Sequence, residues 1–584
     1  MSEKINKDGE ILRLKKEIEK LKKNIKKQRY GLVWVDVPEA FEDDVENKLP
    51  ILKEVPDLEI KSKDDKPQHI LIEGDNYHAL TCLNYTHKGK IDVIYIDPPY
   101  NTGQDGFRYK DKRILNKFPD GTEVPKDSPY RHSYWLSFMK KRLELAKDLL
   151  VPGGILFISI DNNEFAQLKL LCDEIFSENN FIEVFSWTKT STPPGLSNKT
   201  RKINEFVLCY EKGRNGDKYF GEDLSGGDQP LLNRGNKLRE LLFPKEAVFF
   251  KLPDEELKKG NYDRVYLKDD IKIKEGYANK DFVLEGGFKW TQKTLNKEIK
   301  NGTTFIVKSN KLSIRFIRID DKSYKSPTNH IKDEIVNVNL NKKESGIDTN
   351  EIASKQLFEM FHKKVFDNPK PISLIKYLIS FNRKKEKTIL DFFAGSGSTG
   401  HAILELNNDN ENKNHFILVT NNENQICEEV CYPRLKMAVS GYETTKKEKI
   451  NGLGGSIKYY RTAFVGKNNI LFADDKDKIE LAHNAGELLA IAENTLNQEK
   501  SNKYFQIFKA KNEDKYTAVY FREELDKFDD FIDEVLKIKG DVAVYMFSWE
   551  DNEDVEEFED CKNITVKTIP KPILEIYKQI YNLA

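Results

Sequence analysis

Apolar residues follow two rhythms along this chain. Short, mainly apolar runs, at Ile70 to Ile72, Ile91 to Ile96, Ile155 to Ile160, Thr388 to Leu390 and Phe416 to Val419, have the length and near-continuous hydrophobicity of strands buried on both faces. Between them lie longer segments read as helices: one from about Asn76, one over Tyr134 to Leu150 that is broken by Val151-Pro-Gly-Gly154, and one running through Phe176. Asn204 to Tyr210 reads as a returning strand. Strands alternating with helices predict an α/β core with a largely parallel sheet over 69–212, resumed over 361–442.

The rhythm fails in four places, which sets the expected boundaries. Ile11, Leu14, Ile18, Leu21 and Ile25 step by three and four through a Lys/Glu-rich segment, so 1–30 is a coiled-coil-like helix that associates with itself or docks elsewhere. Residues 31–68 hold four prolines and acidic clusters and read as an extended connector. Over 213–360, Gly, Asn, Lys and aromatics surround short strand-like runs such as Thr303 to Val307 and Leu312 to Ile319, the pattern of an inserted domain. Residues 443–584 carry strand-like runs, a helix around Leu481 to Leu496 and an acidic run from Glu550 to Asp560, but no motif with chemistry, and read as an α+β assembly domain.

Composition narrows this picture. A chain of 584 residues needs several cores. A net charge of −1 excludes a uniformly basic coat, yet Lys289 to Lys343 holds thirteen Lys/Arg against five Asp/Glu, which fits a phosphate-binding face or a solvated surface. Six scattered cysteines form no disulfide framework, and Cys427 and Cys431 lack the further ligands a zinc site needs. With no run of eighteen apolar residues and a charged start, the expectation is a cytoplasmic protein without membrane attachment.

Two stretches carry chemistry. The Ile91 strand stops at Asp97-Pro98-Pro99-Tyr100, where the prolines fix the backbone and hold Asp97 at the strand's carboxyl edge. Asp97 and the Pro98 carbonyl can each accept an N–H of a nucleobase amino group, turning the nitrogen lone pair toward an electrophile, while Tyr100 stacks on a base taken out of the duplex. The bland reading is a loop with a structural Asp. Further on, Asp391-Phe392-Phe393-Ala394-Gly395-Ser396-Gly397-Ser398-Thr399-Gly400 places a glycine turn between strand and helix, as nucleotide-like cofactors require. Alone it fits a nicotinamide site, a flavin site or a plain tight turn.

Together the two resemble the amino-group DNA methyltransferases that use S-adenosyl-L-methionine, with the catalytic motif first, the order of the β-class permutation. Further matches, Glu73-Gly74-Asp75-Asn76, Asn101-Thr102-Gly103, Leu156 to Asp161, Phe416 to Asn424 and Tyr432-Pro433-Arg434, are similar to Mod subunits of type III restriction-modification systems. The resemblance implies a Rossmann-like, circularly permuted core with an inserted target recognition domain. It implies N6-adenine methylation of double-stranded DNA, with adenine preferred over cytosine-N4 because Asp leads the motif, and no metal. It places the cofactor on Asp391, Phe393, Ala394, Gly395, Ser396 and Gly397, on Asp75 at its adenine, and on Pro369 and Lys370, whose Asn-Pro-Lys-Pro run resembles the motif opening the cofactor half. Asp75 equally fits a helix N-cap. For the ribose, Asn421, Asn422 and Glu423 stand where a single acid is usual, and Glu423 is the candidate. A homodimer and a Res-type partner for cleavage are expected; no helicase P-loop or nuclease cluster is seen in this chain. The competing readings are a stand-alone type II methyltransferase, a nucleotide-dependent oxidoreductase, and a DNA-binding subunit with a dead site.

Overall fold

The computed structural model describes residues 34–37, 48–103, 111–118, 121–193, 199–223, 228–318, 324–331, 347–409, 412–466, 475–521, 527–547, 556–558 and 561–571, with a few isolated positions besides. The helix expected over 1–30 lies outside the described residues. The chain forms two compact units: Met1–Asp217 with Thr328–Ala584, and Lys218–Pro327.

The larger unit is built on a ten-stranded sheet. In chain order its strands are β1 (Lys48–Glu54), β2 (Gln68–Glu73), β3 (Ile91–Ile96), β4 (Leu150–Ile160), β5 (Phe181–Thr188), β6 (Asn204–Glu211), β7 (His330–Ile331), β8 (Thr388–Asp391), β9 (His415–Thr420) and β10 (Ser456–Gly466). They lie side by side as β1-β10-β2-β9-β8-β3-β4-β6-β5-β7. From β10 to β4 every neighbour is parallel; β1 and β6 run antiparallel to their partners. The two sequence-distant halves are thus one sheet, with Ile389 opposite Val93 and Leu390 opposite Ile94.

Helices cover both faces, which is why the central strands carry apolar residues at successive positions. Ile70, Ile72, Ile94 and Ile96 share a core with Trp135, Leu136 and Leu143 of helix α2 (Ser133–Leu149), flanked by α1 (Asn76–Thr86) and α3 (Phe165–Phe176). On the opposite face Leu418 meets helices α6 (Ser398–Asp409) and α7 (Tyr432–Ser440), where Gly400 allows a contact that a Cβ, at 2.6 Å from Leu435, would forbid. Helix α4 (Asn350–Phe361) and α5 (Ile372–Ile379) lead into β8. A second sheet, β11 (Asn497–Ser501), β12 (Phe505–Lys509), β13 (Lys515–Tyr520), β14 (Asp541–Met546) and β15 (Ile564–Lys567), packs on α8 (Asp475–Glu493), and Leu488, Leu489, Val519 and Phe521 join the main core. Among the described residues no helix is long and apolar enough to cross a membrane.

Three boundaries differ from expectation. Within the expected connector 31–68, Lys48–Glu54 is an edge strand; an edge needs one ladder partner only, so Pro50 is tolerated there. Past the expected boundary at 442/443 the main sheet continues, because β10 of the expected assembly domain lies between β1 and β2. The second unit, Lys218–Pro327, is narrower than 213–360, because β7 and α4 belong to the larger one.

The second unit is β-rich. One four-stranded sheet combines Val248–Phe250, Thr304–Val307, Ile314–Ile317 and Gln229–Pro230, another combines Gly260–Tyr262, Val265–Leu267, Phe282–Gly286 and Arg239–Phe243, and Gln292–Lys300 is helical. Phe243, Phe282, Phe288, Phe305 and Leu295 fill its core.

Candidate active site

Strand β3 delivers Asp97 to the carboxyl edge of the sheet, and the following residues are fixed from several sides. Trp135 Nε1 donates to the Pro99 carbonyl at 2.8 Å. The Asp111 carboxylate accepts from the Tyr100 amide at 3.1 Å, the Thr102 hydroxyl at 2.6 Å and the Gly103 amide at 3.2 Å. Asn101 has a left-handed backbone, φ 57°, and its amide donates to Glu164 Oε1 at 2.6 Å, an atom also 2.8 Å from His132 Nδ1. Such backbone strain persists only where the surroundings over-determine it.

The Asp97 carboxylate sits in a charged network. Lys370 Nζ lies 2.9 Å from Oδ2, and the Tyr100 hydroxyl donates to Oδ1 at 2.8 Å. Glu205 Oε2 is 3.3 Å from that hydroxyl and 3.5 Å from Lys370 Nζ, while its Oε1 accepts from Lys189 at 3.0 Å. Burial raises the Asp97 carboxyl above its ordinary range, against the pull of Lys370. Burial also works on Glu205, but Lys370 and Lys189 hold it below the usual range. Lys370, almost fully enclosed, is desolvated, yet Asp97 and Glu205 keep it charged. Burial, reinforced by Asp97, raises the Tyr100 phenol well above normal, so it donates. The structure therefore puts Lys370 on the Asp97 carboxylate, where the sequence suggested a cofactor contact; the Asn-Pro-Lys-Pro run ends beside β3 as well as leading into β8.

The glycine turn follows β8. Asp391 is buried; it accepts from the Phe393 amide at 2.9 Å and the Thr399 hydroxyl at 2.5 Å, and burial pushes its carboxyl up to about 7. Gly397 has φ 76°, and a Cβ there would come 3.1 Å from Cys431 Sγ. Beneath the turn, fully buried Arg434 donates to Ser398 Oγ at 2.7 Å and Ser396 Oγ at 3.0 Å. Asp75 caps α1, accepting from the Tyr77 amide at 2.8 Å, and is 3.4 Å from Arg142. Next to it, the Asn76 amide donates to the Phe392 carbonyl at 2.9 Å and ties the two halves together.

One cavity of about 1130 Å³ joins corner and turn, and every site residue expected from the sequence lines it except Pro369 and Gly397. Its turn end presents Asp75, Asp391 and the exposed Glu423, acceptors suited to hydroxyl and cationic donors rather than to a pyrophosphate. Sequence reasoning missed Glu205, Lys189 and Asp111 as site residues, and gave Arg434 only as part of a motif, without a role. Glu205 had a signal: a strand returning antiparallel to β4 begins at the edge where the parallel strands end, so its opening polar residues, Asn204 and Glu205, fall at the edge that carries Asp97.

A mostly parallel sheet with an acidic Pro-Pro-Tyr corner on one strand, a glycine turn on the adjacent strand, and one cavity joining them defines the α/β methyltransferase class. A DNA methylase family model matches residues 91–448, more than half of the chain, and the chain belongs to that family. S-adenosyl-L-methionine is the methyl donor of these enzymes. The chain is 28% identical over 477 residues to the type III restriction-modification enzyme StyLTI Mod subunit of Salmonella typhimurium, covering 75% of this chain and 68% of that one. It is 30% identical over 443 residues to the EcoP15I Mod subunit of Escherichia coli, covering 68% and 65%. To the type II methyltransferase M.KpnI of Klebsiella pneumoniae it is 30% identical over 369 residues, covering 60% and 79%.

Proposed function

We propose that this chain is the modification subunit of a type III restriction-modification system, methylating adenine N6 within a specific sequence of double-stranded DNA in the cytoplasm. The observation that carries the reading is the adjacency of β3 and β8, which opens the Asp97 corner and the glycine turn onto one cavity. That adjacency of a catalytic strand early in the chain with a cofactor strand late in it also supports the permuted order. The Mod subunits named above support the type III assignment over a stand-alone type II enzyme, with a Res-type partner supplying cleavage.

The cavity fits the methyl donor: Gly395 leaves open approach, its nearest Cβ contact being 3.5 Å from Phe366, and Asp75, Asp391 and Glu423 supply acceptors for adenine, amino and hydroxyl groups. When bound, S-adenosyl-L-methionine supplies an electrophilic methyl carbon. Asp97 and the Pro98 carbonyl orient the target amino group, and Asp97, raised by burial, is the atom group to which that nitrogen sheds its proton. Tyr100 offers its face to the flipped base. The segment 213–360, with the unit Lys218–Pro327 at its centre, reads the DNA sequence, and 1–30 with the region past Tyr442 supports a homodimer.

Expressing the chain alone in cells without adenine methylation and sequencing their methylome tests this reading. N6-methyladenine at one recurring sequence is expected, and its absence, with Asp97→Ala as the control, would overturn the assignment.

A further inference from the structure

Asp97 is engaged before any base arrives. Tyr100 occupies one of its oxygens and the Lys370 ammonium the other, at 2.8 and 2.9 Å. A carboxylate neutralised by an ammonium is a weak acceptor for an amino N–H, because the charge that should act on the nitrogen is already compensated. Lys370 is only 6% exposed, so it cannot be released to water; a buried ammonium left without a partner is strongly destabilising. Any exchange at Asp97 therefore needs a second anion within reach.

Glu205 is that anion. Its Oε2 is 3.5 Å from Lys370 Nζ and 3.3 Å from the Tyr100 hydroxyl, each slightly beyond the bond that group now makes to Asp97. Its other oxygen is held by Lys189 at 3.0 Å, which fixes the carboxylate with Oε2 toward the pair. Glu205 is itself buried, so its charge acts at close to full strength. Two carboxylates and two ammonium groups give a neutral cluster whose internal pairing can change without moving charge across the site.

We propose that Glu205 is a positioning residue that takes over Lys370 and the Tyr100 hydroxyl when Asp97 accepts the target amino group, freeing the Asp97 charge for the transfer step. This rests on the reading of Asp97 as that acceptor. In this role Glu205 acts on Asp97 through Lys370 and the Tyr100 hydroxyl. A plain ion-pair partner, by contrast, would affect only folding.

The test uses the full-length chain, tritiated S-adenosyl-L-methionine and unmethylated genomic DNA, with cofactor affinity read by calorimetry and transfer by single-turnover labelling at saturating cofactor. Glu205→Gln keeps the shape and removes the charge, so Lys370 stays on Asp97. Cofactor affinity is expected within about twofold of wild type while the transfer rate falls about tenfold or more, a loss in chemistry rather than binding. Adding Lys370→Gln to Glu205→Gln unblocks Asp97 and should recover roughly fivefold of that rate, which a folding defect would not do. A Glu205→Gln rate within about twofold of wild type, or a double variant no faster than Glu205→Gln, would overturn the proposal. Wild-type protein that puts no label into DNA would instead sink the methyltransferase reading on which it stands.

Discussion

Asp97 and Tyr100 share a hydrogen bond, yet their variants should fail at different steps. Asp97→Ala removes the acceptor, so transfer collapses while cofactor binding and base flipping persist. Tyr100→Ala removes a stacking face worth about 1–3 kcal/mol, so the flipped population drops roughly ten- to a hundredfold. Tyr100→Phe keeps the face and loses only the hydroxyl on Asp97. A 2-aminopurine at the target adenine reports flipping, and Asp97→Ala with near-normal methylation would disprove the assignment. Asp391 gives a pH prediction. Its folded carboxyl, near 7 against an ordinary 3.8, binds a proton more tightly than in the unfolded chain. That stability is fully present below about pH 4, declines as pH rises through 7, and is worth on the order of 4 kcal/mol. Relative to wild type, Asp391→Asn should gain stability between pH 5 and about pH 8, since Asn does not titrate. Denaturant midpoints of the two proteins at both pH values check this; a constant difference would refute it.

At the scale of elements, the glycine turn is the most sensitive place. Gly397 adopts φ 76° with Cys431 Sγ 3.1 Å from any Cβ, so Gly397→Asp adds strain, a clash and a charge where α6 begins. Calorimetry should show cofactor binding lost, and unchanged affinity would count against the turn as the cofactor site. This turn, the Asp-Pro-Pro-Tyr corner and the strands β2, β3, β8 and β9 were legible because their signals are local: mainly apolar runs of strand length, prolines and glycines at fixed spacing. What was not legible depends on distant partners. In β10 Lys458 looks like a surface residue, yet it is buried because Glu54 and Glu59 lie 2.6 and 3.3 Å away, so the strand read correctly but its sheet did not. Lys370 meets Asp97 across 273 residues, and no periodicity reports such a pair. Arg434 was noticed as part of a pattern, but its grip on Ser396 and Ser398 appears only when α7 folds beneath the turn.

At the scale of the molecule, the division of labour between the units is testable. Part of the basic excess in Lys218–Pro327 is paired internally, Lys308 and Arg315 with Asp228, Arg318 with Glu298, Lys258 with Glu256 and Asp270, and Lys268 with Glu240 and Glu285. Replacing 218–327 by a relative's segment should move the methylated sequence without abolishing transfer. A chimera that still marks the original site in a methylome would place recognition elsewhere. The position of β2 has a further consequence, for synthesis. Residues 68–73 pair only with 415–420 and 456–466, so both edges of this apolar strand stay open until about 350 more residues have been added. At about 5–20 residues per second the nascent chain carries an unpaired strand for roughly 20–70 s. The catalytic half of the sheet therefore carries open apolar strand edges through much of synthesis, and slower translation lengthens its exposure to aggregation.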